Sequence, residues 1–566
     1  MKTRITFLLL LLTSAAFAQT PAEPLNKISS DFWSWRAKYR PFSFDDVPRM
    51  EHAPGTRDWS AAQIASHRKD LADFEKRLSQ LTPDKWPVPQ QVDYWLVKSA
   101  LARTRWELDV FPRWKLDPMF YVEQTVVPLQ EALMVPPPFN SGQIEEIVVR
   151  AENMPAILEQ AKENLRPTAS FSQMAISALS DVESRLPRVD RGVSPLLLTE
   201  DQRARFQRAL AADSKALAEY RDWLKASLPQ MPKQFVVGEK AYAFYLHNVA
   251  LLPFTPAELT QMARQDFDRV MTQEVLERQR NIGAPVLKVA ANTEEEIARE
   301  VAGETNIRTF LAQHELLTVP ADMPHWTFKA APDYVLAFDG FGEQDDFTSA
   351  SRPNANGVRW IRPPQNQTSF FEMANATDPR LVTVHEGIPG HFFQLSMARR
   401  NADPIRRQYY DSTANEGLGF YAERMMLDAG LFDDSPRSRE TILRMARLRA
   451  LRVEVDVKLS TQQFTIDQAA EYLASAVPMD RQAALTDALD YTMAPALGIA
   501  YETGKLQIER LLTDARLKQG NGFNLREFDD YLWKNGDVPF VLLRWELLGL
   551  DDDLKKVKQL QEELPQ

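Results

Sequence analysis

Apolar residues recur at intervals of three and four along much of this sequence. One run is Ile64, Leu71, Phe74, Leu78 and Leu81, and another is Phe206, Leu210, Leu217, Tyr220 and Leu224. A strand brings alternate residues to one face, whereas this spacing lines up a single stripe of an α-helix, so both runs predict helices with one buried side. Helix starts are punctuated to match. Thr199 with Gln202, Thr255-Pro256 with Glu258, and Thr293 with Glu296 each set a hydroxyl cap three residues ahead of a side chain that can reach back to it. Prolines 136–138, 229, 253 and 320 separate the helices, and no Gly/Ser linker, low-complexity tract or repeat divides the chain. The expected fold is mainly α: one domain over 19–566, a large two-lobed helical body with a central cleft. The N-terminal helical lobe covers roughly 19–330, and the lobe with the chain's paired histidines roughly 331–566. Residues 332–376 break the helical pattern. Asp339-Gly340-Phe341-Gly342 and Arg352-Pro353-Asn354 flank short extended pieces such as Val358 to Ile361, which predicts a small sheet or hairpin near the active site.

The first 18 residues predict export. Lys2 and Arg4 precede the apolar stretch Ile5 to Leu12, and Ala16-Phe17-Ala18 has the small-x-small pattern of a signal peptidase site, with the cut expected after Ala18. The expected destination is the periplasm or the medium. No later window approaches the roughly 20 apolar residues a membrane helix requires. With 67 Lys and Arg against 78 Asp and Glu, the net charge of −11 disfavours nucleic acid and anionic membrane as partners. The chain has no cysteine. That excludes a disulfide, a thiolate metal site, a cysteine nucleophile and a lipid anchor on cysteine, so any metal must be held by histidine and carboxylate.

There are seven histidines. Two of them, His385 and His391, stand in Val384-His385-Glu386-Gly387-Ile388-Pro389-Gly390-His391, followed by Asn415-Glu416-Gly417 and, on the same predicted helix, Glu423. Metal-assisted hydrolysis asks for two neutral imidazoles and a carboxylate around Zn²⁺, an open position for water, and a second carboxylate beside that water as base. His385, His391, Glu416 and Glu386 can fill those four roles. His314-Glu315 has no second histidine nearby and reads as surface.

The spacing of the pair constrains the backbone. Six steps along an ideal helix turn the second imidazole by about 240° and raise it about 9 Å, whereas two ligand atoms on one metal lie about 3 to 4 Å apart. A straight helix cannot hold one ion with both. Pro389 removes an intrahelical donor and clashes with the preceding turn, and Gly387 and Gly390 relax the chain on either side. A bulged or broken helix at Gly387 to Gly390 is therefore predicted, returning His391 to the face of His385.

These residues carry a resemblance. The string His-Glu-Gly-x-Pro-Gly-His-x-x-Gln from His385 to Gln394 is followed by Glu-Gly-x-x-x-Tyr-Ala-Glu from Glu416 to Glu423. Pro495, Tyr501, Gly504 and Lys505 come next, and then Asn535-Gly536-Asp537-Val538-Pro539-Phe540. In this order they resemble the bacterial family known as domain of unknown function 885 over most of the chain. Members of that family resemble helical gluzincin peptidases, which implies Glu416 as the third metal ligand. The sequence departs from the family at Phe392, where a second consecutive histidine is usual, and at Leu418-Gly419, where Trp-Ala is common and the change affects the shape of the pocket.

Supporting roles follow from helix geometry. Glu423, seven residues after Glu416, faces the same side and is placed to hold a ligand imidazole or the bound water. Asn415 stands beside the ligand, where it can also serve as a helix cap. Tyr501 is the candidate hydrogen-bond donor to an oxyanion, in competition with Tyr491. Lys505 and Arg510 are candidates to meet a substrate carboxylate. The reading is an exported zinc-dependent hydrolase, a metallopeptidase with Glu386 as general base and Tyr501 as oxyanion donor, acting on a peptide or small amide. A peptide could add as a strand along Val358 to Ile361. The alternatives are an amidase or esterase on a non-peptide substrate, and a non-catalytic metal-binding or helical interaction protein.

Overall fold

In the computed structural model, Thr199 and Thr255 cap the helices Glu200–Ser227 and Pro256–Arg280 through complete capping boxes, with Gln202 and Glu258 reaching back to the cap N–H groups. The third start differs by one residue. Asn292, not Thr293, caps the helix Thr293–Gln313, its side-chain oxygen accepting from the N–H of Glu295 and satisfying one of the orphan donors of the first turn. The structure describes residues 22–42, 52, 54–233, 236–342, 345–363 and 370–564. The expected signal, Met1 to Ala18, lies outside them. Among the described residues no helix is long and apolar enough to cross a membrane.

The stripes read from spacing do become core. Ile64, Leu71, Phe74 and Leu78 are buried along one helix, and Phe206, Leu210, Leu217, Tyr220 and Leu224 along another. One apolar cluster joins Leu25, Phe32 and Leu96 near the N-terminus to Phe393, Leu418, Trp533 and Val557, so the two expected lobes share it. A second cluster forms around Tyr121, Phe171, Phe206 and Tyr220.

The expected small sheet has three strands: β1 (Trp326–Ala330), β2 (Asp345–Asp346) and β3 (Gly357–Ile361), in the order β1-β3-β2. β1 runs parallel to β3 with Trp326 opposite Gly357, and β2 pairs antiparallel through Asp345 with Arg359. β3 is therefore the central strand, with partners on both sides. This corrects the expectation that a peptide adds along Val358 to Ile361, since added strands require a free edge.

The sheet positions a histidine. On one face Trp326, Phe328 and Ile361 pack with Phe392 and Leu395, which belong to the helix His391–Arg399. Trp326 stacks on Phe347 at 5.0 Å and meets Phe392 at 5.2 Å. Burying the Phe392 ring contributes roughly 2 kcal/mol to fixing where that helix begins, so Phe392 has a packing role at the position where the sequence resemblance implies a second consecutive histidine. Two longer helices, Ser412–Ala429 and Leu497–Gln519, cross tightly nearby. A Cβ on Gly417 would stand 2.5 Å from the Cα of Gly504, so the crossing distance requires a bare backbone on both.

Candidate metal centre

The backbone that carries the two histidines breaks where the sequence places its breakers. After one α turn, Thr383–Gly387 winds as a π-helix, Ile388 is extended, and a new α-helix starts at His391. Gly390 permits the reversal. A Cβ there would lie 1.7 Å from the carbonyl oxygen of His385, a contact no other residue can make. The turn is also held from outside, by Trp533 Nε1 donating to the carbonyl of Pro389 at 2.6 Å and by Thr383 donating to the buried Glu300 at 3.0 Å. The straight helix that would have separated the imidazoles is absent.

The break brings His385, His391 and Glu416 together. Nε2 of each histidine lies 3.3 Å from Oε2 of Glu416, and the ligand atoms of the three residues fall within 4.8 Å of one another, all three side chains being buried. The rings stand 4.7 Å apart and nearly perpendicular at 83°. Two nitrogens and one oxygen at this spacing match the ligand-to-ligand distances around a single small cation. Nδ1 of His391 is buried without a hydrogen-bond partner, which leaves Nε2 as the atom that faces Glu416. Gly419 makes room for the first ring, since a Cβ at that position would stand 2.9 Å from Cε1 of His385.

Glu423, one helical repeat beyond Glu416, sits where its spacing predicts. Its Oε1 is 2.7 Å from Nδ1 of His385, at ion-pair distance but off the line of a ring hydrogen bond. Arg449 grips the same carboxylate with two bonds, of 2.7 and 3.1 Å. Burial lowers the proton affinity of His385, but Glu416 and Glu423 outweigh it and raise the pKa from 6.5 to about 9. The pocket around this imidazole thus demands a positive charge. Glu386 experiences the opposite balance: burial pushes its carboxyl up, while His391 and His385 pull it down to a net position below the ordinary range.

Tyr501 and Tyr491 divide the roles left open between them. The ring of Tyr501 lies parallel to that of His385, with centroids 6.1 Å apart and planes at 20°. The Tyr491 hydroxyl donates to Asp487 at 3.2 Å inside the core, and burial pushes its pKa well up. Tyr501 is therefore the one brought to the cluster. Lys505 and Arg510 are not brought there. Lys505 is buried in ion pairs with Asp266 at 2.6 Å and Glu502 at 3.0 Å, and Arg510 pairs with Asp553 and Asp552 on the last helix. Their expected contact with a substrate carboxylate is corrected accordingly, because each cation is already neutralised within the fold. Asn415 is no cap, since Asp411 caps its helix. Its amide instead donates to Gln394 at 3.0 Å, and Gln394 donates to Asp537 at 2.7 Å, linking three of the sequence motifs in one buried chain. His314 is exposed and stacks on Phe310 at 4.0 Å, as its lack of a partner motif predicts.

Arg449 and the exclusion at Gly419 are the parts of the site that the sequence reading missed. Arg449 was detectable as an arginine among apolar neighbours in Leu448 to Val453, on a helix too buried to leave it in water.

Comparison with known proteins gives the chain a family and a fold. A family model described as "Bacterial protein of unknown function (DUF885)" matches residues 51–547. Two solved structures are similar over nearly all of both chains. One is described as a "putative lipoprotein of unknown function" from Shewanella oneidensis, with 18% identity, a TM-score of 0.68, and coverage of 94% of this chain and 100% of its own. The other, a "putative lipoprotein" from Colwellia psychrerythraea, has 17% identity, a TM-score of 0.71, and coverage of 95% and 100%. No curated protein matches. The implied likeness to gluzincin peptidases is not borne out by these comparisons.

Proposed function

The chain belongs to the DUF885 family of bacterial proteins, and from its buried cluster of His385, His391 and Glu416 we propose that it is an exported zinc-dependent hydrolase, acting as a metallopeptidase on peptides or small amides. The observation that carries this reading is the convergence of two imidazole Nε2 atoms on one carboxylate oxygen, each at 3.3 Å, inside a fold that leaves His385 in surplus negative charge. Two imidazoles and a carboxylate, with no thiolate, are a donor set suited to zinc with a position open to water. When bound, the ion supplies a Lewis acid that acidifies water and polarises a carbonyl.

The chain's own residues carry the remaining steps. Glu386, adjacent to a ligand, takes a proton from the attacking water and returns it to the leaving amine. Tyr501 donates its phenolic hydrogen to the carbonyl oxygen as charge builds there. Glu423, braced by Arg449, holds its negative charge against Nδ1 of the His385 ring. Export is supported by the Met1 to Ala18 pattern and by the description of both structural neighbours as lipoproteins. This sequence contains no cysteine to carry a lipid.

The test is Glu386→Gln, assayed on a peptide library and on small amides and esters, with metal measured in the same preparation. The expected result is a fall in kcat/KM of about 10²- to 10⁴-fold with metal content unchanged. Full activity in that variant removes Glu386 from the base role, and a chain purified without chelator that holds no metal overturns the proposal.

A further inference from the structure

A cavity of about 70 Å³ is lined by Ser412 and Leu497, each one helical turn before a residue of the candidate site. We infer that this cavity, walled by Trp106, Phe111, Phe120, Tyr245, Met493 and Leu497, is a substrate subsite that receives an aromatic side chain flanking the bond to be cut. The inference rests on the metallopeptidase reading and adds the substrate class to it.

Position is the first argument. Ser412 also lines the cavity, four residues before Glu416 on one helix, and Leu497 lines it four residues before Tyr501 on another. Four residues are about one turn, a rise of about 6 Å with about 40° of rotation. Both helices therefore offer the cavity the same face that they offer the metal cluster, one turn further back. The separation is about the reach of a single side chain from a backbone held at the ion.

Chemistry is the second. Trp106 meets Tyr245 edge-on at 5.1 Å and Phe111 at 5.3 Å, so the wall is built of ring faces and edges. The charged groups beside them already have partners. Glu107 accepts from Arg36 at 2.6 Å, Arg113 is held by Asp117 and Glu123, and Arg103 donates to the Tyr245 hydroxyl at 3.2 Å. An apolar lining with its charges satisfied selects an uncharged ring.

The third argument is that the wall is held in conformations an ordinary core does not require. Trp106–Val110 and Tyr245–Val249 are both π-helical, a form concentrated at functional sites. Ala496, between Pro495 and Leu497, has φ of 74°, in the left-handed region that disfavours alanine. The buried Asp456 fixes that turn by accepting from the N–H of Ala496 at 3.0 Å and of Gly498 at 2.7 Å.

The experiment uses the full exported chain with two probes, N-acetylphenylalaninamide and N-acetylalaninamide. Binding is measured by calorimetry, and peptides differing only at the residue beside the scissile bond are assayed in parallel. The phenylalanine amide is expected to bind about thirtyfold more tightly than the alanine amide, the value of burying one ring. Leu497→Trp, which fills the cavity, is expected to reduce that ratio at least about tenfold. Met493→Ala, which enlarges it, is expected to move the preference towards N-acetyltryptophanamide and serves as the test if Leu497→Trp does not fold. Equal binding of the phenylalanine and alanine amides overturns the subsite, as does a preference that both folded variants leave intact. Peptide hydrolysis without aromatic preference defeats the subsite alone. Aromatic binding that the variants alter, with no peptide cleaved, defeats the peptidase reading and leaves an aromatic-binding cavity.

Discussion

His52 and His385 are both buried histidines, and their surroundings treat them in opposite ways. His52 stacks on Phe42 at 3.8 Å and receives a hydrogen bond from Arg40 at 3.3 Å, with Glu131 at 3.3 Å from its other nitrogen. Burial first, and then the charge of Arg40, push its pKa down to about 3, so the ring is a neutral structural group. His385 is as deeply buried, yet Glu416 and Glu423 raise it to about 9. Burial is common to both and decides neither role. What separates a packing histidine from a candidate ligand is the sign of the charge that dominates around it: cationic at His52, where Arg40 pushes the pKa down, and anionic at His385, where Glu416 and Glu423 both raise it.

The largest effect expected from that contrast is loss of the metal. His391→Ala or Glu416→Ala removes one of three donors and is expected to weaken zinc binding by more than about 100-fold and to abolish hydrolysis, since even outer partners of a metal site are worth 10- to 100-fold. His52→Ala is expected to cost about 2 kcal/mol of stability in urea unfolding while zinc stays at one per chain. Zinc retained by His391→Ala, or lost from His52→Ala, breaks the comparison.

Glu423→Gln sharpens it, because this change leaves every ligand in place and alters only the charge behind His385. Zinc affinity, measured by competition with a chromophoric chelator, is expected to fall about 10- to 100-fold. An unchanged affinity would mean that Glu423 serves Arg449 and not the imidazole. Gly419→Ala acts sterically on the same ring. The added Cβ, 2.9 Å from Cε1, must displace the ring or the helix, and a loss of roughly tenfold in kcat/KM is expected, with thermal stability as the control.

Much of this site was legible because its constraints are local. Proline and glycine between His385 and His391 announce a broken helix whatever surrounds it, and the seven-residue step from Glu416 to Glu423 places both carboxylates on one face. Helix stripes and two of three capping boxes were readable for the same reason. What could not be read depends on distant partners. Lys505 and Arg510 resembled free cations until Asp266, some 240 residues earlier in sequence, and Asp553 were brought beside them. The extended run Val358 to Ile361 was recognisable as a strand, but its central place in the sheet was not, because pairing order is set by the tertiary fold and not by period-two patterning. Arg449 reaches Glu423 only because two helices pack, and no spacing rule connects them.

The smallest effect is the one that follows most directly from the comparison, since the two histidines should confer opposite pH dependences on the metal-free protein. His385 has a folded pKa near 9 against 6.5 unfolded, so its contribution to stability is fully present below 6.5 and is lost as pH rises through 9. His52 has a folded pKa near 3 against the same 6.5, so the unfolded chain binds the proton first, and stability is lost as pH falls from 6.5 towards 3. Each single proton limits the slope to about 1.4 kcal/mol per pH unit. Urea unfolding of the chelated protein across these two windows is expected to show an alkaline loss that His385→Gln flattens and an acid loss that His52→Gln flattens. Zinc should remove the alkaline loss alone, because the cation then takes the place of the proton between His385 and its carboxylates. An alkaline loss that persists in His385→Gln would place the responsible group elsewhere and remove the charge argument that distinguishes this histidine from the other.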